Sequence, residues 1–455
     1  MIWRMRPTLS GIFRSFPVVA VAVALVAFAP TRAQATIDHA QAESIFEQAH
    51  TICTRDAGAL WGHTLCGPML LVDPDDRSVV ANEADADHVL KPSGAVFTGF
   101  LPPSEEISDT TMTWSGTRWC ELLWPWPMRE DPDMRHVTLG HELFHRIEQD
   151  DLHIQKLDGD NSQLDTFDGR YLLQLEWRAL AAALQASSSA VRRIAIADAI
   201  LFRLERYRLF ASAAVNEAAL ESNEGIAEYT GVTVGLLTAE ERTHYAVRDL
   251  SAFVNVPSFV RTFAYATGPA YGLLLDQADP GWLRGFAVAP SDRRFDQRLS
   301  SALHLLPPDF AQLREREAVY DPDNSLRAHE IAYEQKKQTQ LTEFQARLVD
   351  GPVLTLPLAN SSFQFKPQSL VPLKGLGTVY PTMTLKDTWG TLSVEDGGVL
   401  MRKQPQVAVV SATGFDANTL HGAGFTLTLN SGWIVRPGPR KGDLVVIPTG
   451  AGGPK

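Results

Sequence analysis

The pattern of apolar residues changes close to residue 350, and this change constrains the fold more than any other feature of the sequence. Before it, over 131–348, apolar residues recur mostly at helical spacing. After it, short apolar runs such as 353–356 and 407–410 alternate with glycine, proline, asparagine and aspartate, which is typical of a β sandwich or barrel. We therefore predict a small all-β accessory domain over 349–455.

A sheet is predicted ahead of the helical part. The apolar runs at 70–72 and 79–80 flank an Asp-Pro-Asp-Asp turn signal, and further extended runs follow. We predict a mostly antiparallel sheet over 68–126. The expected fold class is α+β: this antiparallel sheet and a mostly helical part, 131–348, share one domain over 36–348, and the all-β domain follows.

Helices within that domain have recognisable start signals. Asp133 is a candidate N-cap for a helix that runs to about Gln149. Within this helix, Gly140 leaves room for the close approach of a neighbouring element. Further helices are predicted over about 257–271 and 310–347.

The N-terminus has the parts of a secretory signal peptide. Arginines precede a short apolar run over 17–30, and Ala33 and Ala35 form an A-x-A pattern. The alternative is a membrane anchor, but the run is shorter than the ~20 residues that a spanning helix needs. We predict a signal peptide over 1–35, an exported protein that is periplasmic or secreted, and no stable membrane span after its removal.

The charge of the chain bears on its partners. The formal net charge is −12, and it becomes −16 without residues 1–35 because that segment contains four arginines and no acidic residue. An acidic surface repels phosphate backbones, so we expect no nucleic-acid partner.

Three cysteines allow at most one disulfide within the chain. Cys53 with Cys66 is the short-loop candidate, and an oxidising compartment would permit it, while Cys120 is the third cysteine. None of them belongs to a C-x-x-C pair, so a cysteine zinc site is not indicated.

The segment HELFH, which begins at His141, lies on the first of the predicted helices. Residues four apart share a helix face, so the imidazoles of His141 and His145 can bind one cation. Glu142 can reach a water on that cation without binding the metal itself, and can take its proton during attack on a carbonyl. Zinc is the metal that these ligand types favour.

A third ligand is required, and two acidic residues are candidates. Glu224 lies 79 residues after the second histidine, on another predicted helix, and Glu228 on the same face could orient the first histidine through its free ring nitrogen. The alternative is Asp151, six residues after the second histidine. A ligand at Asp151 needs the chain to turn sharply after the helix, and a glycine three residues after the second histidine usually makes this turn. Glu148 stands at that position here. We favour Glu224.

HELFH followed by the segment NEGIAEY at 223–229 resembles the gluzincin peptidases, the group that includes thermolysin and the aminopeptidase N family. The likeness covers roughly 110–285, and its motifs are short. It implies that His141, His145 and Glu224 are the zinc ligands. It also implies that Glu142 is the general base and that Glu228 is the acid that orients a ligand.

Another segment, which begins at Tyr265, resembles the Tyr-x-x-Gly helix start of the aminopeptidase N family. By that resemblance the Tyr265 hydroxyl stabilises the oxyanion, and a phenol donor beside zinc suits developing negative charge. Tyr229 and Tyr271 are weaker alternatives for this donor. A core tyrosine at a helix start is the competing structural interpretation.

The sequence departs from that group in two places. The Gly-x-Met-x-Asn motif with which aminopeptidases anchor a substrate amine is not found, and Glu121, on a predicted edge strand, is a weak substitute. Arg146 stands where zinc peptidase helices usually carry an uncharged residue. The tryptophan-rich strand region 114–124 is the candidate for pairing with a substrate backbone, as the strand beside the zinc helix does in that group.

The function predicted from these motifs is that of an exported zinc metallopeptidase acting on a peptide or protein substrate. Two alternatives remain open: a zinc-bearing but non-catalytic binding protein of the cell envelope, and a zinc hydrolase of a non-peptide amide or ester. The tryptophan-rich strand and the β domain are the features that favour the binding protein.

Overall fold

The computed structural model describes residues 37–108, 110–125, 131–155, 159–288, 293–365 and 370–450. The signal peptide predicted over 1–35 lies outside the described residues. The described chain is mixed α+β, as the sequence predicts, with a strand-rich C-terminal region. Among the described helices, none combines the length and the apolarity needed to cross a membrane.

Six strands form the first sheet, in the order β3-β4-β2-β1-β6-β5. Their bounds are Met69–Val72 (β1), Ser78–Ala81 (β2), Lys91–Ser93 (β3), Val96–Phe100 (β4), Thr110–Trp114 (β5) and Thr117–Leu123 (β6). Neighbouring strands are antiparallel except β1 and β6, which run parallel. The predicted turn after β1 joins it to β2, with Leu71 opposite Val80.

Strand β6 is an inner strand, so the prediction that Glu121 lies on an edge strand is wrong. Glu121 pairs with Leu70 of β1 on one side and with Thr110 of β5 on the other, and its side chain is buried. The edge strand beside β6 is β5, and β3 forms the opposite edge. Trp114 and Trp119, from the tryptophan-rich strand region, are both buried in a small core on one face of the sheet.

Helices make up most of the chain between the first sheet and residue 350. Their bounds are His39–Asp56 (α1), Pro132–Glu148 (α2), Phe167–Gln185 (α3), Ser189–Leu209 (α4), Ala213–Leu220 (α5), Ile226–Gly235 (α6), Ala239–Ala252 (α7), Phe263–Ala278 (α8), Trp282–Val288 (α9), Phe295–Ala302 (α10), Leu313–Tyr320 (α11) and Ser325–Gln345 (α12). A π-helical turn, Glu221–Gly225, joins α5 and α6 into one continuous helix, and a second one, Ala346–Asp350, follows α12.

Helix α2 begins two residues earlier than the predicted cap allows. Its N-cap is Asp131, whose carboxylate accepts hydrogen bonds from the backbone N–H groups of Asp133 and Met134. Pro132 occupies the first turn, where its missing N–H costs nothing and its fixed φ suits the helix. Asp133 therefore lies inside the helix, where its charge favours the helix N-terminus.

Two other helix predictions were wrong in their bounds. The helix expected from residue 257 begins at Phe263. The helix expected over 310–347 is broken into α11 and α12, because the carboxylate of Asp321 caps the start of α12 by accepting from the backbone N–H groups of Leu326 and Arg327. Pro322, which follows Asp321, disfavours continuation of a helix through this point.

The C-terminal region contains two sheets with a shared core. The seven-stranded sheet has the order β17-β18-β7-β14-β13-β10-β9, and the five-stranded sheet the order β15-β16-β12-β11-β8. The strand bounds are Val353–Pro357 (β7), Ser362–Phe365 (β8), Val371–Leu373 (β9), Gly377–Tyr380 (β10), Met383–Asp387 (β11), Gly390–Val394 (β12), Val399–Lys403 (β13), Gln406–Ser411 (β14), His421–Gly422 (β15), Phe425–Leu429 (β16), Trp433–Pro437 (β17) and Leu444–Pro448 (β18).

The two sheets pack face to face, as in a β sandwich. Leu356 and Val410 from the larger sheet and Leu385 and Leu392 from the smaller one belong to the same buried cluster. The opposite face of the larger sheet receives Phe344, at the end of α12. Helix α12 thereby connects the helical part of the chain to the sandwich.

The cysteines pair as the short-loop prediction expects. Cys53, in the last turn of α1, forms a disulfide with Cys66, which precedes β1. Cys120 is buried on β6. The bridge ties the N-terminal helix to the first sheet.

Candidate metal centre

The two histidines of HELFH lie in the buried face of α2. His141 and His145 are each only 4% exposed, and their Nε2 atoms lie 3.0 Å apart. Their rings meet edge to face, with centroids 4.8 Å apart. The four-residue spacing therefore places both imidazoles on one helix face, as the sequence predicts, with their Nε2 atoms close together.

Glycines allow α6 to cross α2 at backbone contact. A Cβ atom on Gly231 of α6 would lie 2.2 Å from the carbonyl oxygen of Val137, and a Cβ on Gly140 would lie 2.9 Å from the Gly231 Cα atom. Any larger residue would force the helices apart. The close approach expected at Gly140 is confirmed, and it brings the NEGIAEY segment against the HELFH segment.

The π-helical turn carries Glu224 to the histidines. One carboxylate oxygen, Oε2, lies 3.5 Å from Nε2 of His141 and 3.7 Å from Nε2 of His145. These three ligand atoms lie within 4.8 Å of one another. Wide turns of this kind are rare in helices and occur frequently at functional sites. This geometry brings Glu224, the favoured candidate for the third ligand, to both histidines.

Both histidines are oriented by a carboxylate on the far side of the ring. Nδ1 of His141 lies 2.7 Å from Oε2 of Glu228, the partner that the sequence suggested. Nδ1 of His145 lies 2.8 Å from Oε2 of Glu148, a residue whose only predicted effect was to disfavour a chain turn after the helix. Glu148 is fully buried, three residues after His145 on the same helix, and this spacing is the signal that could have identified it.

These contacts fix the orientation of the imidazoles. The carboxylate beside each Nδ1 accepts a hydrogen bond from a proton on that nitrogen, and this contact orients each ring so that Nε2 faces Glu224. Two imidazole nitrogens and a carboxylate oxygen thus converge on one point, an arrangement that suits a metal cation.

The charges around the centre favour a cation. Burial alone would lower the pKa of His141, but hydrogen bonds to Glu224 and Glu228 raise it well above its usual value. Burial would raise the pKa of Glu224, but the two histidines lower it far below its usual range. The carboxylate is therefore ionised at any physiological pH and available as a ligand.

Glu142 lies beside the convergence point without taking part in it. Its Oε1 atom is 4.0 Å from Nε2 of His141, and its side chain is 9% exposed. This distance is too long for a hydrogen bond. It leaves Glu142 at the edge of the site, in reach of a molecule placed between the histidines and the solvent.

Tyr265 is brought to the centre by a second close helix crossing. A Cβ on Gly268 of α8 would lie 2.0 Å from the carbonyl oxygen of Gly225, so the start of α8 packs directly on the π-helical turn. The Tyr265 hydroxyl donates a 2.7 Å hydrogen bond to Oε2 of Glu224. Its ring stacks on His141 at 5.6 Å with an interplanar angle of 1°. Burial and the neighbouring carboxylates raise the pKa of Tyr265, so its hydroxyl keeps its proton.

The alternative tyrosines have structural roles elsewhere. Tyr229 donates to Asp276, and Tyr271 donates to Glu176, in both cases with the phenol buried. Asp151, the alternative ligand, is exposed after the end of α2 and does not belong to the ligand cluster found among the described residues.

Arg146, the unusual charged residue of the HELFH helix, points away from the histidines. Its guanidinium donates to the backbone carbonyl groups of Thr64 and Cys66. It therefore ties α2 to the loop that the disulfide anchors. A charge at this position is compatible with the metal centre because it lies on another face of the helix.

The donor set fits zinc. Two imidazole nitrogens and one carboxylate oxygen are ligands that zinc accepts in hydrolytic sites, with a fourth position left for water or substrate. A second group of candidate donors in the described chain, His50 with Cys53 and Cys66, has its sulfur atoms consumed by the disulfide. Comparison with family models, with curated proteins and with solved structures finds no match to this chain.

Proposed function

We propose that the protein is an exported zinc metallopeptidase of the gluzincin type. The observation that carries the proposal is the convergence of His141, His145 and Glu224 from two crossing helices, with Glu142 beside them. A stabilising role alone would not require two buried histidines to direct their Nε2 atoms at one carboxylate.

Each residue of the site has a separate role in the proposed hydrolysis. Zinc bound by the two histidines and Glu224 would supply a Lewis acid for the scissile carbonyl and for water. Glu142 takes a proton from the attacking water and passes it to the departing amine nitrogen. The Tyr265 hydroxyl, which keeps its proton, donates to the oxygen on which negative charge develops.

The surroundings of the centre support this division. Glu228 and Glu148 hold the two imidazoles in the tautomer that a metal needs. The amine-anchoring motif of aminopeptidases has no counterpart here, and Glu121 lies on an inner strand. We therefore propose a peptidase that does not depend on a substrate's free amine.

Export is supported by two independent features. The N-terminal sequence has the basic, apolar and small-residue segments of a signal peptide in the usual order. Cys53 forms a disulfide with Cys66, and disulfides persist in oxidising compartments. We propose a periplasmic or secreted protein.

A peptide library tests the proposed activity. The purified protein is assayed with zinc, after removal of zinc by a chelator, and after zinc is restored. Cleavage of internal peptide bonds should appear, disappear and reappear in that order. Zinc retention without cleavage of any peptide would refute the peptidase. In that case, hydrolysis of a panel of esters and non-peptide amides would indicate another hydrolase, and its absence a binding protein.

A further inference from the structure

A buried ion pair stands directly behind the π-helical turn. Arg203 of α4 donates from both terminal nitrogens to Glu221, at 2.9 and 2.6 Å, and from Nε to Glu176 of α3 at 2.7 Å. The side chains of Arg203 and Glu176 have no exposure, and that of Glu221 has 1%. This is a fully desolvated bidentate pair.

Such a pair is an inefficient way to stabilise a fold. Removing two charges from water is costly, and replacement of such a pair by apolar side chains of similar volume is often neutral or stabilising. What a bidentate pair provides is geometry, because the planar guanidinium accepts a carboxylate in only a few orientations. The position of Glu221 is therefore fixed more tightly than an apolar contact would fix it.

Glu221 is the first residue of the turn that contains the ligand Glu224. The turn is closed by a hydrogen bond from the backbone N–H of Ile226 to the carbonyl of Glu221, which is five residues earlier. Such a turn accommodates one more residue than an α-helical turn. Without it, residues on its two sides would be rotated relative to each other by about 100°, the angle per residue of an α-helix.

We infer that the Arg203–Glu221 pair is a positioning device for the metal ligand. It holds the π-helical turn open in the register that directs Glu224 at His141 and His145. The inference rests on the proposed zinc site, and it assigns a role to residues that do not touch the metal.

The chain contains a matched control for this idea. Arg206 of the same helix α4 donates to Glu217 at 2.9 and 2.7 Å, and to Glu176 at 2.8 Å. Its side chain and that of Glu217 are also unexposed. Glu217 lies in α5, one turn before the π-helical turn begins. The two pairs are therefore alike in burial and lie about one turn apart on α4, but only the Arg203 pair includes the side chain of a residue of the π-helical turn.

The test compares two double variants, Arg203→Met with Glu221→Leu and Arg206→Met with Glu217→Leu. Zinc affinity is measured by competition with a chromophoric chelator, and thermal unfolding is measured on the zinc-free proteins. We expect the first variant to bind zinc about 10- to 100-fold more weakly, which is the usual effect of losing a residue that positions a metal ligand. We expect the second to change zinc affinity by less than about threefold, since its side chains do not bond to a side chain of the turn.

The outcomes separate the inference from the proposed function. Failure of the unaltered protein to bind zinc would refute both. Zinc binding by the unaltered protein, with equal affinities in the two double variants, would refute the positioning role alone. If the first double variant does not fold, Glu221→Gln replaces it, because it keeps the shape and one acceptor; unchanged zinc affinity in that variant would also refute the inference.

Discussion

Nδ1 of His145 lies 2.8 Å from Oε2 of Glu148, one turn further along the same helix. The carboxylate is fully buried, so its charge acts on the imidazole with little screening. It holds the ring in the orientation that directs Nε2 at Glu224. Glu148 therefore orients His145 in the same way as Glu228 orients His141.

The first prediction follows from this relationship. Glu148→Gln keeps an acceptor for Nδ1 but removes the charge that makes the imidazole a stronger ligand. Zinc affinity should fall by about tenfold or more, and Glu228→Gln should have an effect of the same size. Chelator competition measures both. Equal zinc affinity in Glu148→Gln and the unaltered protein would show that Glu148 serves only the packing of α2.

The second prediction concerns the identity of the third ligand. Glu224→Ala removes the only carboxylate oxygen within 4 Å of both Nε2 atoms among the described residues, so zinc should no longer copurify with the protein. Asp151→Ala should retain about one zinc per chain, because Asp151 is exposed and outside the cluster. Metal analysis of the two purified variants measures their zinc content. Zinc retained in Glu224→Ala and lost in Asp151→Ala would exclude Glu224 as the ligand.

The third prediction concerns Tyr265. Tyr265→Phe keeps the ring that stacks on His141 and removes the hydroxyl. The kcat for peptide cleavage should fall by about 10²- to 10³-fold, because the donor acts where negative charge develops in the transition state. KM and zinc content should change little. Tyr229→Phe is the control, since that phenol donates to Asp276 away from the centre. A kcat equal to that of the unaltered protein would show that Tyr265 only packs against the site.

The fourth prediction is a pH dependence of stability. Burial raises the pKa of Asp249 from 3.8 to about 7; Arg248 opposes this, and the nearby Glu228 adds to it. The folded state therefore keeps a proton that the unfolded chain releases near pH 4. The stabilisation that protonated Asp249 contributes to the fold is fully present below that pH, and it is lost as the pH rises through about 7.

Asp249→Asn removes this dependence. Relative to the variant, the unaltered protein should lose about 2–4 kcal/mol of unfolding free energy between pH 4 and pH 7.5. Urea unfolding of both proteins, with a chelator present so that zinc release does not contribute, measures the difference. A constant difference across that range would mean that Asp249 is already ionised in the fold.

Local spacing was enough to predict the core of the site. His141 and His145 share a face because they are four residues apart, and Glu228 lies near Glu224 for the same reason. The change of pattern near residue 350 likewise predicted where the strands of the C-terminal region begin. In each of these cases the information lies within a few residues along the chain.

The features that sequence reasoning missed depend on contacts between distant segments. The inner position of β6 is set by its parallel pairing with β1, and nothing local in β6 indicates it. The π-helical turn at Glu221 involves Arg203 of another helix. Glu148 was misjudged because a glutamate near a helix end is usually solvated, and only tertiary packing buries it here.

The most direct test of the central claim is to measure zinc content and peptide cleavage together in Glu142→Gln. Glu142 lies 4.0 Å from Nε2 of His141 and outside the ligand set, so the variant should keep about one zinc per chain. Its cleavage rate should fall by about 10²- to 10⁴-fold, the usual contribution of a general base. Undiminished cleavage by the zinc-loaded variant would contradict the account.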